Sequence, residues 1–138
     1  MSLIDANALV NLVDARQPMS VEFRRTFNIL RRPLITTWPA FTEATYLLFR
    51  IGGWQMQRKL WDFIIKGLIK FHLPDQHEEL RIICIMERYR DRPADLADAS
   101  LVAAAETLGD SQILTQDHDF YIYRYKDNED FEVLPIRV

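Results

Sequence analysis

Four acidic side chains stand where a mostly parallel α/β sheet would gather its carboxylates. Asp5 follows the apolar run Leu3-Ile4, and Glu43 lies early in the helical stretch after Leu34-Ile35-Thr36. Asp98 lies in the first turns of the helix opening near Asp95, and Asp117 comes just past Ile113-Leu114-Thr115. Ligands of open α/β sheets sit beyond the carboxyl ends of the strands, and three of the four positions follow a strand directly or open the helix after one. Carboxylates crowded together repel one another, and some then hold protons unless a cation intervenes. Mg²⁺ and Mn²⁺ take hard oxygen ligands, and no Cys/His cluster has zinc spacing. The chemistry this constellation suits is attack of water on a phosphodiester, with one or two ions activating the water and offsetting charge on the phosphate. Asn7, two residues after Asp5, offers a neutral oxygen or donor beside the site.

Each residue also has a plain structural role open to it. Asp5 and Asp95 are good helix N-caps. Asp98 is an acid in a first helical turn, where the helix dipole favours it. Glu43 is an ordinary surface residue, and Asp117-His118-Asp119 suits a turn. With 20 acidic residues in the chain, one such alignment carries little weight; four at one sheet edge carry more.

The elements that must position them follow from periodicity and punctuation. Strands are expected at Ser2–Asp5, Leu34–Thr36, Ile69–Leu73 (closed by Pro74), Gln112–Thr115 and Phe131–Ile136. Helices are expected at Asn7–Arg16, Ser20–Arg32, Ala40–Arg50 with Pro39 in its first turn, Trp54–Ile65 and Gln76–Arg90. A last helix, opened by Pro93 and Asp95, runs to Gly109. Short strands alternating with helices predict an α/β domain with a short, mostly parallel sheet covered by helices on both faces.

The length of 138 residues fits one domain, 1–138, with no repeat, low-complexity tract or linker dividing it. A net charge of −3 argues against a basic nucleic-acid coat, but not against an enzyme acting on nucleic acid, because metal ions offset acidic groups locally. No basic-then-apolar leader opens the chain, and no apolar stretch is long enough to span a bilayer. Cys84 is alone in Ile82-Ile83-Cys84-Ile85-Met86, so it reads as a small buried hydrophobe in a reducing, cytoplasmic compartment.

The blocks LIDANALV (residues 3–10), TEA (42–44), DLADASLVAAAETLG (95–109) and ILTQDHDF (113–120) resemble the PIN-domain ribonucleases, most closely the VapC-like toxins of toxin–antitoxin pairs. The resemblance spans nearly the whole chain in order and spacing. It implies a PIN-like domain that hydrolyses RNA with Mg²⁺ or Mn²⁺ in an acidic pocket. Asp5, Glu43, Asp98 and Asp117 would form that pocket, with Asp5 and Asp98 as the main metal ligands and Asn7, Asp95, Thr115 and Asp119 in support. It also implies a homodimer held inactive by an antitoxin protein. The chain departs from the family pattern twice: Ala6 stands where Thr or Ser often follows the first Asp, and the segment after Phe120, YIYRYKDNEDFEV, is longer than usual.

RNA needs positive charge and often stacking surfaces. Arg88, Arg90 and Arg92, just before the helix with Asp98, are candidate phosphate contacts. Arg24-Arg25 and Arg31-Arg32 form a basic stripe on the second helix that could also grip phosphates, and that suits a solvated face or an antitoxin contact at least as well. Trp38, Trp54 and Trp61 suit a core or a dimer interface. Tyr121, Tyr123 and Tyr125 alternate as on one face of an extra strand or hairpin, a surface for bases or a partner. His118 reads as a solvated turn residue. Against the nuclease stand a catalytically weak PIN-like module that only binds RNA or protein, and an Asp-nucleophile phosphohydrolase. The last usually wants a second Asp where this chain has Asn7.

Overall fold

The computed structural model describes residues 1–92 and 94–136. In chain order its elements are β1 (Leu3–Ile4), α1 (Ala6–Val13), α2 (Ser20–Ile29), β2 (Leu34–Thr36), α3 (Trp38–Gly52), α4 (Trp54–Ile65), β3 (Ile69–Phe71), α5 (Gln76–Arg88), α6 (Leu96–Leu108) and β4 (Gln112–Leu114). A 3-10 turn at His118–Tyr121, β5 (Arg124–Tyr125), β6 (Glu129–Asp130) and β7 (Glu132–Leu134) complete it. Five strands form one parallel sheet in the order β3-β2-β1-β4-β7. β5 and β6 pair separately as an antiparallel hairpin.

The sheet is so apolar because both faces are covered. Successive residues of a strand point to opposite faces, and here each finds a core. Leu3, Ile35, Ile113 and Val133 pack with α6 and Ile85 of α5. Ile4, Leu34, Leu114 and Leu134 pack with α1, Phe23 and Phe27 of α2, Phe41 of α3 and Leu60 of α4. Helix α6 lies between sheet and neighbours, and every residue from Ala97 to Ala105 is buried, which is why its sequence is small and apolar all round. It ends at Gly109, whose φ of 71° closes the helix in the left-handed region that a side chain would disfavour.

Phe120 is fully buried and packs edge-to-face against both Tyr123 and Phe131. Phe120→Ala should therefore cost about 3–5 kcal/mol of stability, read as a lower midpoint in urea with an unchanged slope.

Several expectations need correction. Helix α2 stops at Ile29, so Arg31 and Arg32 lie past its end; Arg32 folds back onto Asn28 and the Phe27 ring. α1 ends at Val13 rather than Arg16, and β3 ends at Phe71. Pro93 lies outside the described residues. Cys84 is exposed, not buried, because α5 turns only Glu78 and Ile85 fully inward. Of the two places expected for the tryptophans, a core holds only for Trp61, half-buried beside Phe41 and Phe71, whereas Trp38 and Trp54 are exposed. The tyrosine alternation is not one exposed strand face: Tyr121 ends the 3-10 turn, whereas Tyr123 and Tyr125 are buried. Only Arg124 and Tyr125 pair as a strand, because Phe120 and Phe131 draw the chain inward before it can extend.

Candidate active site

Strand order reverses between β1 and β4: the chain steps outward from β1 to β2 and β3, then returns to lay β4 on β1's other side. A crevice opens at such a switch point, and Asp5 and Asp117 flank it. The Asp5 amide makes the last ladder bond of its strand, to the Leu114 carbonyl at 3.0 Å, and its carbonyl accepts from Leu9 in the first turn of α1. Its carboxylate accepts from the Ala6 amide at 2.7 Å and from the Thr115 hydroxyl at 2.9 Å. Asp5 is thus a helix cap and a site residue at once.

Thr115 is the hub of this edge. Besides donating to Asp5, its hydroxyl accepts from the Asp117 amide at 3.0 Å and from the Asn7 side chain at 3.4 Å. Asn7 also accepts from the Gln116 amide at 2.7 Å, so it ties the loop after β4 to α1. Asp117 caps the 3-10 turn by accepting from the Asp119 amide. From the other side, Asp95 caps α6 by accepting from the Asp98 amide at 2.8 Å, which starts the helix one turn before Asp98. The Asp98 carboxylate accepts from the buried Tyr123 hydroxyl at 2.8 Å. Thr37, the cap of α3, lies 2.6 Å from the Ser100 hydroxyl and holds the helix of Glu43 against that of Asp98.

One carboxylate oxygen from each of Asp5, Asp98 and Asp117 lies within 4.8 Å of the others. Asp5 is 3% exposed and Asp98 8%. Burial pushes the Asp5 carboxyl up to about 7, against the bonds from Ala6 and Thr115, and the charges of Glu43 and Asp117 add to the rise. Burial likewise pushes Asp98 up to about 8, against the Tyr123 bond, with Asp5, Asp95 and Asp117 adding to it. Glu43 is also raised, by partial burial and then by Asp95 and Asp117, but it is exposed and stands outside the trio. Among the described residues no Lys or Arg forms an ion pair with any of the three. Three converging hard oxygen donors, two of them buried and without a countercharge, fit a divalent cation.

The expected supports differ in standing. Asn7, Thr115 and Asp95 hold the site residues by the bonds above. Asp119 faces outward to Arg92 at 3.8 Å. Of the candidate phosphate contacts, Arg88 is bonded to Asp127 and Arg90 folds onto Glu87, leaving Arg92 beside the edge of the site. Tyr123 is the contact that sequence reasoning missed. The only signal for it was negative: Asp98 has no donor within its own helix face, so a buried carboxylate there had to find one elsewhere.

Because Glu43 lies apart from the trio, Glu43→Gln is expected to weaken divalent-ion binding less than Asp117→Asn does. Calorimetric titration of the two variants with Mn²⁺ checks the ranking, and the reverse order would place Glu43 among the ligands.

Two solved structures share this fold. VapC20 of Mycobacterium tuberculosis, described as a sarcin–ricin-loop-cleaving toxin, superposes with a TM-score of 0.78 at 16% identity, over 86% of this chain and 92% of that one. A chain of a toxin–antitoxin complex from Klebsiella pneumoniae superposes with a TM-score of 0.66 at 15% identity, over 87% of this chain and 90% of that one. At such identities the likeness is one of fold. No curated protein matches the chain significantly. The sequence itself matches the PIN domain over residues 2–126, from the strand before Asp5 to the turn of the hairpin. Parallel sheet, acidic switch point and sequence thus agree, and the chain belongs to the PIN domain family.

Proposed function

We propose that this protein is a Mg²⁺- or Mn²⁺-dependent endoribonuclease and the toxin of a toxin–antitoxin pair. The observation that carries the reading is the convergence of Asp5, Asp98 and Asp117 at the switch point of the sheet. PIN domains are nucleases, and the two structural neighbours are by their descriptions a toxin and part of a toxin–antitoxin complex.

In this reading Asp5 and Asp98 hold the ion, and Asp117 and Glu43 complete the pocket directly or through water. The bound ion supplies an activated water and offsets negative charge on the phosphodiester. The chain's own residues do the rest. Ala6 and Thr115 orient the Asp5 carboxylate. Asn7 and Thr115 hold the loop that carries Asp117. Asp95 anchors the first turn that presents Asp98. Arg88, Arg90 and Arg92 are the proposed contacts to RNA phosphates, Arg92 being the one that borders Asp119.

Partners follow the same reading: an RNA substrate, a cognate antitoxin and a second copy of the chain. Exposed Trp38, Leu80, Ile83 and Leu96 supply apolar surface of the kind that association covers. Among the described residues no helix is long and apolar enough to cross a membrane. The toxin reading itself carries a cytoplasmic location with it.

The test is cleavage of a mixed RNA pool with Mg²⁺, with Mn²⁺ and with chelator, running Asp5→Asn beside the wild type. Metal-dependent cutting that the variant loses supports the nuclease. RNA binding without metal and without turnover, from protein free of antitoxin, would replace it with the binding module.

A further inference from the structure

The segment after Phe120 reaches the site through one side chain. Tyr123 is fully buried, and its hydroxyl donates to the Asp98 carboxylate at 2.8 Å. The residues around it are braced to the α5–α6 pair. The Tyr89 ring meets the Tyr123 ring edge-on at 5.0 Å, and its hydroxyl accepts from the Arg124 amide at 2.9 Å. Beyond it the hairpin turns through Lys126 and Asp127, two non-glycine residues with φ of 51° and 70°. Such backbone is disfavoured and persists where contacts over-determine it. Here they do: the Lys126 amide donates to Glu106 at 2.8 Å, and Asp127 accepts from Arg81 and Arg88 at 2.8 and 2.6 Å. Arg81 also grips Glu106 through two further bonds, at 2.7 and 3.0 Å.

This is more anchoring than a surface excursion requires. A free two-stranded hairpin is marginal in water, and this one has only two residues per strand. What it does secure is the end of Tyr123. A buried carboxylate can rotate about its last bond, and a fixed donor on one oxygen leaves the other with a defined direction. Asp5 is held in the same manner by Ala6 and Thr115. Groups that orient metal-ligating side chains are worth about 10–100-fold in metal affinity.

We propose that Tyr123 is a positioning residue for the metal centre: its hydroxyl fixes the Asp98 carboxylate toward the ion, and the 121–131 segment exists in its present form to deliver that hydroxyl. This rests on the reading of Asp5, Asp98 and Asp117 as the metal site.

The experiment is Mn²⁺ titration of the intact protein by calorimetry and electron paramagnetic resonance, with thermal melts and RNA kinetics on the same samples. Tyr123→Phe keeps the ring and removes only the hydroxyl. It should weaken Mn²⁺ binding by about 10-fold and lower kcat while leaving the KM for RNA nearly unchanged. Tyr89→Phe, which removes one brace of the hairpin but keeps the ring against Tyr123 and leaves the Tyr123 hydroxyl in place, should weaken Mn²⁺ binding clearly less than Tyr123→Phe does, and so separates the hydroxyl on Asp98 from general packing. Wild-type affinity in Tyr123→Phe overturns the positioning role, as does an equal loss in Tyr89→Phe. If the wild type itself binds no Mn²⁺ that Asp98→Asn removes, the metal-site reading fails and the role of Tyr123 falls with it. Those results differ, so the two failures are told apart.

Discussion

Asp98→Asn is expected to abolish RNA cleavage and at the same time raise the melting temperature of the metal-free protein. The first effect follows from losing one of two buried carboxylates proposed to hold the ion. Forfeiting about 4 kcal/mol of metal-derived stabilisation lowers the rate on the order of 1,000-fold. The second follows from the cost of the same group without metal. Asp98 is 8% exposed and faces Asp5, Asp95 and Asp117, and its carboxyl is pushed up to about 8. At pH 8 the unfolded chain ionises it freely, whereas the folded chain pays for the charge. An amide there carries no charge and can still accept from Tyr123. The two melting temperatures should therefore separate by several degrees at pH 8 and draw together as pH falls toward 4, where the unfolded chain also binds the proton that the wild-type fold already holds. Parallel melts in chelator, set beside cleavage assays, check both halves. A variant that loses activity and is less stable at pH 8 would show that Asp98 serves the fold rather than a site held at the fold's expense.

The pH dependence of the wild type is the second large effect. Asp5 and Asp98 are both raised in the folded state, to about 7 and about 8. A group whose folded pKa lies above its unfolded value contributes stability that is present in full below the unfolded pKa, near 4 for Asp, and is lost as pH rises through the folded pKa. The metal-free protein should thus be more stable at pH 5 than at pH 9, with the loss spread over that window. Metal binding runs against this slope, because a ligand carboxyl must shed its proton first. Below pH 7 the Mn²⁺ affinity should climb by up to about 100-fold per pH unit, tenfold for each of two protons released, and level off above pH 8. Saturating Mn²⁺ should accordingly stabilise the protein most at the alkaline end. Melts from pH 5 to 9, with chelator and with Mn²⁺, measure both trends. A flat chelator profile would mean that the two carboxylates are not held in the charged cluster described above.

The architecture was legible along the chain because its signals are local. Apolar triplets such as Leu34-Ile35-Thr36 have no polar alternation to suggest an exposed face, so they imply strands covered on both sides. Pro39, Gly53 and Gly109 mark helix ends through backbone preferences that hold in any fold. Boundaries were less legible: α2 stops at Ile29 because Leu30 turns to extended backbone before Pro33, and no periodic pattern records such a turn. Cys84 was misplaced for a related reason. Four apolar neighbours suggested a core, but α5 packs along one narrow stripe and leaves that face open.

The acids divide in the same way. Asp5, Asp95 and Asp117 end strands or open helices, so their place at one edge follows from chain order once the sheet is parallel. By itself, then, the sequence determined the parallel α/β sheet, the edge at which the carboxylates gather, and the family blocks that point to nucleic-acid hydrolysis. Only the tertiary structure decided which acids meet. Asp117 joins Asp5 and Asp98 within 4.8 Å while Glu43 stays outside, because the bonds that orient a carboxylate come from residues distant in sequence. Thr115 reaches Asp5 from 110 positions away and Tyr123 reaches Asp98 from 25. Spacing along a helix or strand cannot encode such contacts. They form when packing encloses the carboxylates, since a buried charge is tolerated only where a donor or a cation meets it.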